Sequence, residues 1–226
     1  MNTKNAVLFD LDGTLVDTAP DFIIAVNKQR EIHGLSPLNE ILIRNTVSEG
    51  ARALVSLSFS GKEDEEEFLA KHRELLALYM THIADHSRLF PEMDKLLDWL
   101  EQNQIPWGIV TNKPRRFSEP LLEGLNLTTR CQALVCPDDV VNKKPDPEPL
   151  FLACSILQVS PENTIYVGDH DRDIEAGRRA GMKTIAASYG YIPHTESVND
   201  WNADYNTSDC REMLLALQQL FTDKGR

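Results

Sequence analysis

The chain has 226 residues, of which 42% are hydrophobic and 26% charged, and its formal net charge is −12. A chain of this length suits one large domain, or one domain with a smaller insert, and buries roughly 70% of its unfolded surface without disulfides or a structural metal. The composition excludes long disordered or fibrous segments, and the acidic balance argues against nucleic acid and anionic membranes as partners.

The cysteines and the apolar segments of the sequence both indicate the cellular compartment. The four cysteines stand at irregular intervals without a CxxC motif, which favours reduced thiols over a disulfide framework or a zinc site. The N-terminal apolar run is too short for a signal peptide, and no stretch approaches the length of a membrane span. We therefore expect a cytoplasmic protein, a monomer or weak homodimer, whose partner is a small molecule.

The predicted strands are short, continuous apolar runs with helical patterns between them. The strands cover Ala6 to Phe9, Trp107 to Val110, Ala133 to Cys136, Thr164 to Val167 and Lys183 to Ala187. Continuous apolar runs are typical of strands that are buried on both faces. The later helices cover Met93 to Gln102, Pro149 to Leu157, Asp173 to Ala180 and Asp209 to Phe221, the last with Asp209 as its cap. This alternation predicts an α/β fold with a doubly wound, Rossmann-like parallel sheet.

The gap between the first two strands is too long for one crossover. It spans about one hundred residues, whereas a βαβ unit needs about thirty in total. Helical patterns fill it from Asp21 to His33 and from Glu63 to His82. We predict that residues 16–86 form a helical insert in an α/β domain made of residues 1–15 and 87–226. The predicted linkers are Thr18-Ala19-Pro20 and Asp85 to Pro91.

Polar side chains follow four of the five predicted strands. In open α/β sheets, ligands bind at the carboxyl ends of the strands. The groups found there are, in chain order, Asp10-Leu11-Asp12-Gly13-Thr14, Thr111-Asn112-Lys113, Lys143-Lys144-Pro145 and Gly168-Asp169 with Asp173. They combine carboxylates for a hard cation with hydroxyl and ammonium groups for an oxyanion, and we expect them to face one crevice.

Two pairs of carboxylates favour a metal site. Asp10 and Asp12 are two residues apart, so in extended backbone they point the same way and repel each other unless a cation or proton lies between them. Asp169 and Asp173 are four apart and share a face if the chain turns helical after Gly168, although alone such a pair is more often an acidic helix N-terminus. Oxygen ligands without nitrogen suit Mg²⁺. We predict Asp10, the Asp12 backbone carbonyl and Asp169 as ligands, with Asp173 orienting Asp169 or a metal-bound water.

These parts together suit phosphoryl transfer. Asp10 is the predicted nucleophile and would form an acyl phosphate. Asp12 would protonate the leaving oxygen and then take a proton from the water that cleaves the intermediate. Thr111, the backbone N–H of Asn112 and Lys144 would hold the phosphoryl oxygens and offset the acidic field of the chain.

Two further lysines lie in the same segments. Lys143 is the rival of Lys144, which we prefer because the residue before a proline is biased toward an extended backbone that can aim its side chain inward. Lys113 follows Asn112, and we predict that it binds substrate.

The segments FDLDGTLVDT, VTNKP, KKPDPEP and VGDHDRDIEAG together resemble the four motifs of the haloacid dehalogenase superfamily, in order and at strand ends. The resemblance implies that Asp10 is the nucleophile, Asp12 the acid/base and Lys144 the lysine of the third motif. It also implies that the insert is a helical cap domain. His170 departs from the pattern, because many members have serine after the Gly-Asp pair; it either tunes Asp169 or is merely an exposed histidine.

Nearly the whole chain resembles the phosphoglycolate phosphatase subgroup of that superfamily. Segments such as GDHDRDIEAGRRAGM and YGYI especially resemble bacterial N-acetylmuramic acid 6-phosphate phosphatases of cell-wall recycling. The resemblance implies a Mg²⁺-dependent phosphatase for a small soluble monoester, either N-acetylmuramic acid 6-phosphate or 2-phosphoglycolate. Both candidates carry a carboxylate as well as a phosphate.

The carboxylate of such a substrate needs a cationic partner. The cap is the natural source of that partner, because a cap closes over the crevice. Among the cations of the insert we choose Arg52, at the start of a predicted apolar helix from Ala53 to Phe59. A cation there opposes the helix dipole, and a residue placed against local preference is a candidate for function. The alternative is a solvated surface arginine.

Two other functions stay open on the sequence alone. A sugar phosphomutase on the same scaffold would return the phosphoryl group to a sugar and release little phosphate. A phosphorylated signalling module also combines acidic residues, threonine and lysine on a doubly wound sheet, but it lacks a helical cap. A dehalogenase is disfavoured, because halide displacement does not require the acid/base Asp12.

Overall fold

The computed structural model describes residues 5–59, 64–193 and 196–223. Strands in this part of the chain are β1 (Ala6–Phe9), β2 (Val16–Asp17), β3 (Arg88–Leu89), β4 (Trp107–Val110), β5 (Leu134–Val135), β6 (Thr164–Gly168), β7 (Lys183–Ala187) and β8 (Tyr205–Thr207). Helices are α1 (Ala19–Ile32), α2 (Glu40–Arg44), α3 (Ala51–Ser58), α4 (Glu65–Thr81), α5 (Met93–Gln102), α6 (Arg115–Gly124), α7 (Glu148–Leu157), α8 (Asp171–Arg179) and α9 (Cys210–Asp223).

Six of these strands form one parallel sheet in the order β5-β4-β1-β6-β7-β8. The chain runs outward from β1 through β4 to β5, then crosses to β6 on the other side of β1. Leu8 in β1 therefore pairs with Gly108 on one side and with Tyr166 on the other. The strand order reverses beside β1, so the loops at the carboxyl ends open a crevice there. The predicted doubly wound α/β fold is confirmed.

The sheet is buried on both faces because its central strands are continuously apolar. Val7 and Phe9 pack into the hydrophobic cluster on one face of the sheet, and Ala6 and Leu8 pack into the cluster on the other. All four side chains of β1 are fully buried. Alternation of side chains along a strand explains why one short run serves two layers of helices.

Most predicted helices of the α/β part lie where expected. Helix α5 buries the predicted stripe Met93, Leu96, Leu97 and Leu100. The carboxylate of Asp209 caps α9 by accepting hydrogen bonds from the backbone N–H groups of Arg211 and Glu212, at 2.8 and 2.9 Å. Helix α6 and strand β8 were not predicted.

Between β1 and α5, the chain forms helices α1 to α4, which pack on one another. Phe22 of α1 stacks on Tyr79 of α4 with ring centroids 3.9 Å apart and planes 3° from parallel. The antiparallel pair β2 and β3 joins the beginning and the end of this segment, with Val16 opposite Leu89.

The boundaries within this segment differ from the prediction. Thr18-Ala19-Pro20 is not a linker, because Ala19 begins α1 and Pro20 stands in its first turn, where proline costs no hydrogen bond. The segment Asp85 to Pro91 contains strand β3. Glu63, the predicted start of the long helix, lies outside the described residues; within them α4 begins at Glu65. None of the described helices is both long enough and apolar enough to cross a membrane.

Candidate active site

The polar residues that follow the strands border one cavity of about 350 Å³. Asp10 follows β1 directly, and Thr111 follows β4. Helices α1, α3 and α4 contribute side chains to the same cavity. Eight of the residues predicted for the site border this cavity: Asp10, Asp12, Arg52, Thr111, Asn112, Lys113, Lys144 and Asp173. The exception is Asp169, which follows β6 and is 1% exposed.

Asp10, Asp169 and Asp173, here called the acidic cluster, each place a carboxylate oxygen within 4.8 Å of the others. Burial, followed by the charges of Asp10 and Asp173, raises the pKa of Asp169 to about 8. Burial also raises the pKa of Asp10 to about 6, although the charge of Lys144 opposes the shift. Oδ2 of Asp173 is buried without a hydrogen-bond partner among the described residues. Carboxylates crowded in this way require a cation or bound protons.

Gly13 allows the first loop to reach the acidic cluster. The loop turns sharply after Asp12, with the backbone N–H of Val16 donating to the carbonyl of Leu11 at 2.9 Å. Gly13 has a φ of +81°, a conformation that favours glycine, and a Cβ there would lie 2.0 Å from Oδ2 of Asp169. The glycine is therefore needed both for the turn and for the close approach of the two loops.

Lys144 is buried among the carboxylates, with its side chain 1% exposed. Its ammonium donates to Oδ1 of Asp10 at 2.8 Å and to Oδ1 of Asp173 at 2.7 Å. Tyr166, which the sequence reasoning missed because it lies inside a strand, has its hydroxyl 2.7 Å from the same nitrogen. Burial lowers the pKa of Lys144, but the charges of Asp10 and Asp173 outweigh it and raise that pKa above its ordinary value. Lys143, the rival candidate, is exposed.

The Asp12 side chain stands apart from the acidic cluster. Its Oδ1 accepts a hydrogen bond from the hydroxyl of Thr18 at 2.6 Å and another from the ammonium of Lys113 at 2.9 Å. The charge that faces this carboxylate is therefore Lys113. The predicted metal contact of Asp12 concerns its backbone carbonyl and not this side chain.

Thr111 and Asn112 occupy the loop after β4. The hydroxyl of Thr111, which is 4% exposed, accepts from the backbone N–H of Lys113 at 3.1 Å. The side-chain amide of Asn112 donates to the carbonyl of Lys144 at 3.0 Å, which ties this loop to the loop that carries the buried lysine. Both residues border the cavity.

Helical-segment residues that the sequence reasoning missed also contact the acidic loops. The hydroxyl of Ser48 donates to Oδ2 of Asp169 at 3.0 Å, and the same oxygen accepts from the backbone N–H of Tyr191 at 2.8 Å. Nε2 of His170 lies 2.8 Å from Oε1 of Glu49, and its Nδ1 accepts from the backbone N–H of Arg172. His170 thus caps α8 and joins it to the helical segment. The sequence drew attention to His170 and, through the YGYI segment, to Tyr191, but it indicated neither Ser48 nor Glu49.

Arg52, His72 and Arg116, here called the cationic rim, border the cavity from α3, α4 and α6. Burial, together with the charges of Arg52 and Arg116, lowers the pKa of His72. Arg52 is the second residue of α3, its side chain is 58% exposed, and its ion pair with Glu65 is long, at 3.6 Å. Its guanidinium also lies 4.7 Å from the ring centroid of Phe68. The sequence pointed to Arg52 but not to His72 or Arg116.

The chain is similar in sequence to several known proteins. The profile described as haloacid dehalogenase-like hydrolase matches residues 7–187. An N-acetylmuramic acid 6-phosphate phosphatase from Pseudomonas aeruginosa is 45% identical over 218 residues, which is 96% of each chain. A phosphoglycolate phosphatase from Xanthomonas campestris is 38% identical and covers 90% of this chain and 92% of its own.

A solved structure shows a similar fold. It is described as a predicted phosphoglycolate phosphatase from Haemophilus somnus and superimposes with a TM-score of 0.84 at 25% identity. The similarity covers 96% of this chain and 99% of the other. The two chains thus share a fold over nearly their full lengths.

Proposed function

The chain belongs to the haloacid dehalogenase-like hydrolase family and is a phosphatase of that family, and on that premise we propose that it hydrolyses a small phosphate monoester through a phosphorylated Asp10. The observation that carries this mechanism is the buried contact of 2.8 Å between Lys144 and the Asp10 carboxylate at the wall of the cavity. A carboxylate held beside a permanent cation, at the end of a rigid strand, is preorganised for in-line attack on phosphorus.

The two chemical steps divide between Asp10 and Asp12. In the first, an oxygen of Asp10 bonds to phosphorus, the bond to the alcohol breaks, and Asp12 gives the alcohol oxygen a proton. In the second, Asp12 takes a proton from water, whose oxygen bonds to phosphorus while the bond to Asp10 breaks. Phosphate leaves, and both aspartates return to their starting state.

Three groups of the cavity are suited to hold the phosphoryl oxygens. They are the Thr111 hydroxyl, the Asn112 backbone N–H and the Lys144 ammonium. All border the cavity beside Asp10, within a chain whose net charge of −12 would otherwise repel a phosphate. Donors fixed in place before the reaction stabilise the developing charge without reorganising.

The acidic cluster fits a magnesium ion. Its donors are all oxygens, and one of them is a buried carboxylate oxygen that has no hydrogen-bond partner among the described residues. Burial, together with the neighbouring carboxylates, raises the pKa values of Asp10 and Asp169, and a bound cation would stabilise their ionised forms. We propose that Asp10, the Asp12 carbonyl and Asp169 hold the ion, with Asp173 orienting them. When bound, Mg²⁺ would offset charge on the phosphoryl oxygens and polarise the phosphorus.

The helical segment is suited to act as a cap. We propose the division predicted from the sequence, with residues 16–86 as the cap and residues 1–15 and 87–226 as the catalytic core. Contacts of Ser48 with Asp169 and of Glu49 with His170 support it, because they join the segment to the acidic loops across the cavity. A cap in this position excludes water and selects the group that is esterified to the phosphate.

The substrate is proposed to carry a carboxylate besides the phosphate. The names of the Pseudomonas and Xanthomonas relatives indicate N-acetylmuramic acid 6-phosphate and 2-phosphoglycolate, both of which meet this condition. Arg52 of the cationic rim is the proposed partner of that carboxylate, because guanidinium binds it in a forked geometry. Its exposed side chain and long ion pair leave it able to turn toward a ligand.

One experiment tests the proposed function. The purified enzyme is given equal concentrations of N-acetylmuramic acid 6-phosphate, 2-phosphoglycolate and several hexose phosphates with Mg²⁺, and kcat/KM is ranked from the phosphate released. We expect a carboxylated monoester to rank first. Conversion of a hexose phosphate to its isomer with little release of phosphate would instead identify a phosphomutase.

A further inference from the structure

Lys113 is the second buried lysine of the cavity, and its ammonium contacts both the loop after β1 and helix α4. Its side chain is 6% exposed, and its ammonium donates to Oδ1 of Asp12 and to the hydroxyl of Tyr79, both at 2.9 Å. The same nitrogen lies 4.9 Å from the ring centroid of Phe22 and 4.5 Å from that of Tyr79. Burial lowers the pKa of Lys113, but the interactions with Asp12 and Tyr79 together outweigh it and raise that pKa above its ordinary value.

Asp12 is held at one of its two oxygens. Oδ1 accepts from both Lys113 and Thr18, whereas no hydrogen bond to Oδ2 occurs within the described part of the chain. Two donors on one oxygen restrict rotation of the carboxylate and leave the other oxygen for proton exchange with a ligand. This arrangement is what an acid/base requires.

We propose that Lys113 is a positioning residue for Asp12 and not a binding group for substrate. We further propose that the Tyr79 hydroxyl, from helix α4, completes its site. This inference rests on the proposed function, in which Asp12 protonates the leaving oxygen. It replaces the substrate-binding role predicted for Lys113 from its place after Asn112.

Tyr79 makes the position of the acid/base depend on the helical segment. The ring is 1% exposed and is fixed by its stack on Phe22 and by Phe117 of α6, whose centroid is 5.9 Å away. Lys113 therefore bridges a hydroxyl of the helical segment and the carboxylate that follows β1. The acid/base is aligned only while α4 lies against the core, which couples cap closure to proton transfer.

A series of leaving groups separates positioning from binding. We would measure kcat/KM on 4-nitrophenyl, phenyl and 4-methoxyphenyl phosphate, which are similar in shape but increasingly need a proton on the departing oxygen. For Lys113→Met we expect a loss of about fivefold on the nitrophenyl ester and about 100-fold on the methoxyphenyl ester, within the range that general acids contribute. The plot of log kcat/KM against leaving-group pKa then becomes steeper. Tyr79→Phe should steepen it in the same direction but less.

One control and one further variant complete the design. Lys95→Met removes an exposed lysine (73% exposed) that forms an ion pair with Glu92 on the surface, and it should leave the plot unchanged. Thr18→Val removes the other donor to Oδ1, should also steepen the plot, and serves in place of Lys113→Met if that variant does not fold.

Each outcome decides the inference. Parallel plots, with equal losses on all three esters in folded Lys113→Met and Thr18→Val, would overturn the positioning role and favour substrate binding. An unchanged slope in Tyr79→Phe would overturn the part assigned to the helical segment. An unmodified enzyme that turns over neither these esters nor the monoesters of the substrate screen, or turnover that survives Asp10→Asn, would overturn the proposed function itself.

Discussion

The acidic cluster and the cationic rim border the same cavity but are built in different ways. Asp10 and Asp169 of the cluster follow strands β1 and β6, Asp173 lies in the first turn of α8, and all three side chains are 13% exposed or less. Asp10 and Asp173 contact Lys144 at 2.8 and 2.7 Å. Arg52 of the rim stands on a short helix, is largely exposed, and lies 3.6 Å from Glu65 in its ion pair. Buried charges with direct partners cannot be removed without leaving others uncompensated, whereas exposed pairs contribute little. We therefore propose that the cluster carries the reaction and that the rim determines the choice of substrate.

The largest effect is expected from Asp10→Asn, which tests the cluster at its centre. An amide cannot form the acyl phosphate, so kcat should fall by about 10⁴-fold or more, as for other covalent nucleophiles. Lys144 keeps its bond to Asp173, so the melting temperature should stay close to that of the unmodified enzyme. Asp94→Asn, at an exposed position on α5, is the matched control. A folded Asp10→Asn enzyme with near-normal turnover would contradict the mechanism.

Removal of the metal is expected to have the next largest effect. Activity should be lost in excess chelator, return when Mg²⁺ is added, and fall when Ca²⁺ competes. Ca²⁺ is larger and takes more ligands, so it would misplace the attacking oxygen of Asp10. Phosphate release is measured at fixed ionic strength with each ion. Full activity in chelator would remove the basis for assigning the cluster to a metal.

Arg52→Ala tests the rim and should show a smaller, selective loss. We expect kcat/KM on a carboxylated monoester to fall by roughly ten- to a hundred-fold, or about 1.5–3 kcal/mol, because a charged hydrogen-bonding pair is lost. Phenyl phosphate, which has no carboxylate, should be almost unaffected. Equal losses on both substrates would mean that Arg52 acts on folding or on the phosphate, and the division between cluster and rim would then fail.

The smallest expected effect is the decrease in the stability of the metal-free protein as the pH rises. The raised pKa values of Asp10, about 6, and Asp169, about 8, mean that the folded state binds protons more tightly than the unfolded state. The stabilisation is complete below pH 4 and is lost as pH rises through these values, so stability decreases between about pH 4 and pH 8.

The melting temperature in chelator should therefore be lower at pH 8.5 than at pH 5.5, by several degrees or more. Mg²⁺ should reduce the difference by binding the ionised cluster. Asp169→Asn removes the group with the larger shift and should flatten the dependence, whereas an unchanged slope in that variant would show that other groups cause it.

The sequence predicted best the strands that are formed by short, continuous apolar runs. Strands β1, β4 and β7 begin and end where predicted, because continuous apolar runs bounded by polar residues can be buried only as central strands. The missed strand β8 has three residues, two of them exposed, and so shows no such run. Helix α6 was missed because Pro120 interrupts its pattern, although the helix continues through it.

Part of the candidate site could also be predicted from the sequence. Apolar strands of known direction bring Asp10, Thr111 and Asp169 to one edge of a parallel sheet, so their neighbourhood followed from the sequence alone. The sequence also identified Lys144, because the proline after it limits its backbone.

Partners across the cavity were decided only by the tertiary structure. Lys113 stands beside Asn112 in the chain, yet its ammonium reaches Asp12 of the loop after β1 and the hydroxyl of Tyr79 in α4. Ser48 reaches Asp169 over 121 positions of sequence. Local patterns determine which residues stand at the ends of strands, because they depend on periodicity over a few residues. Which side chain of one segment meets which side chain of another depends on how the helical segment packs against the sheet, and no local pattern contains that information.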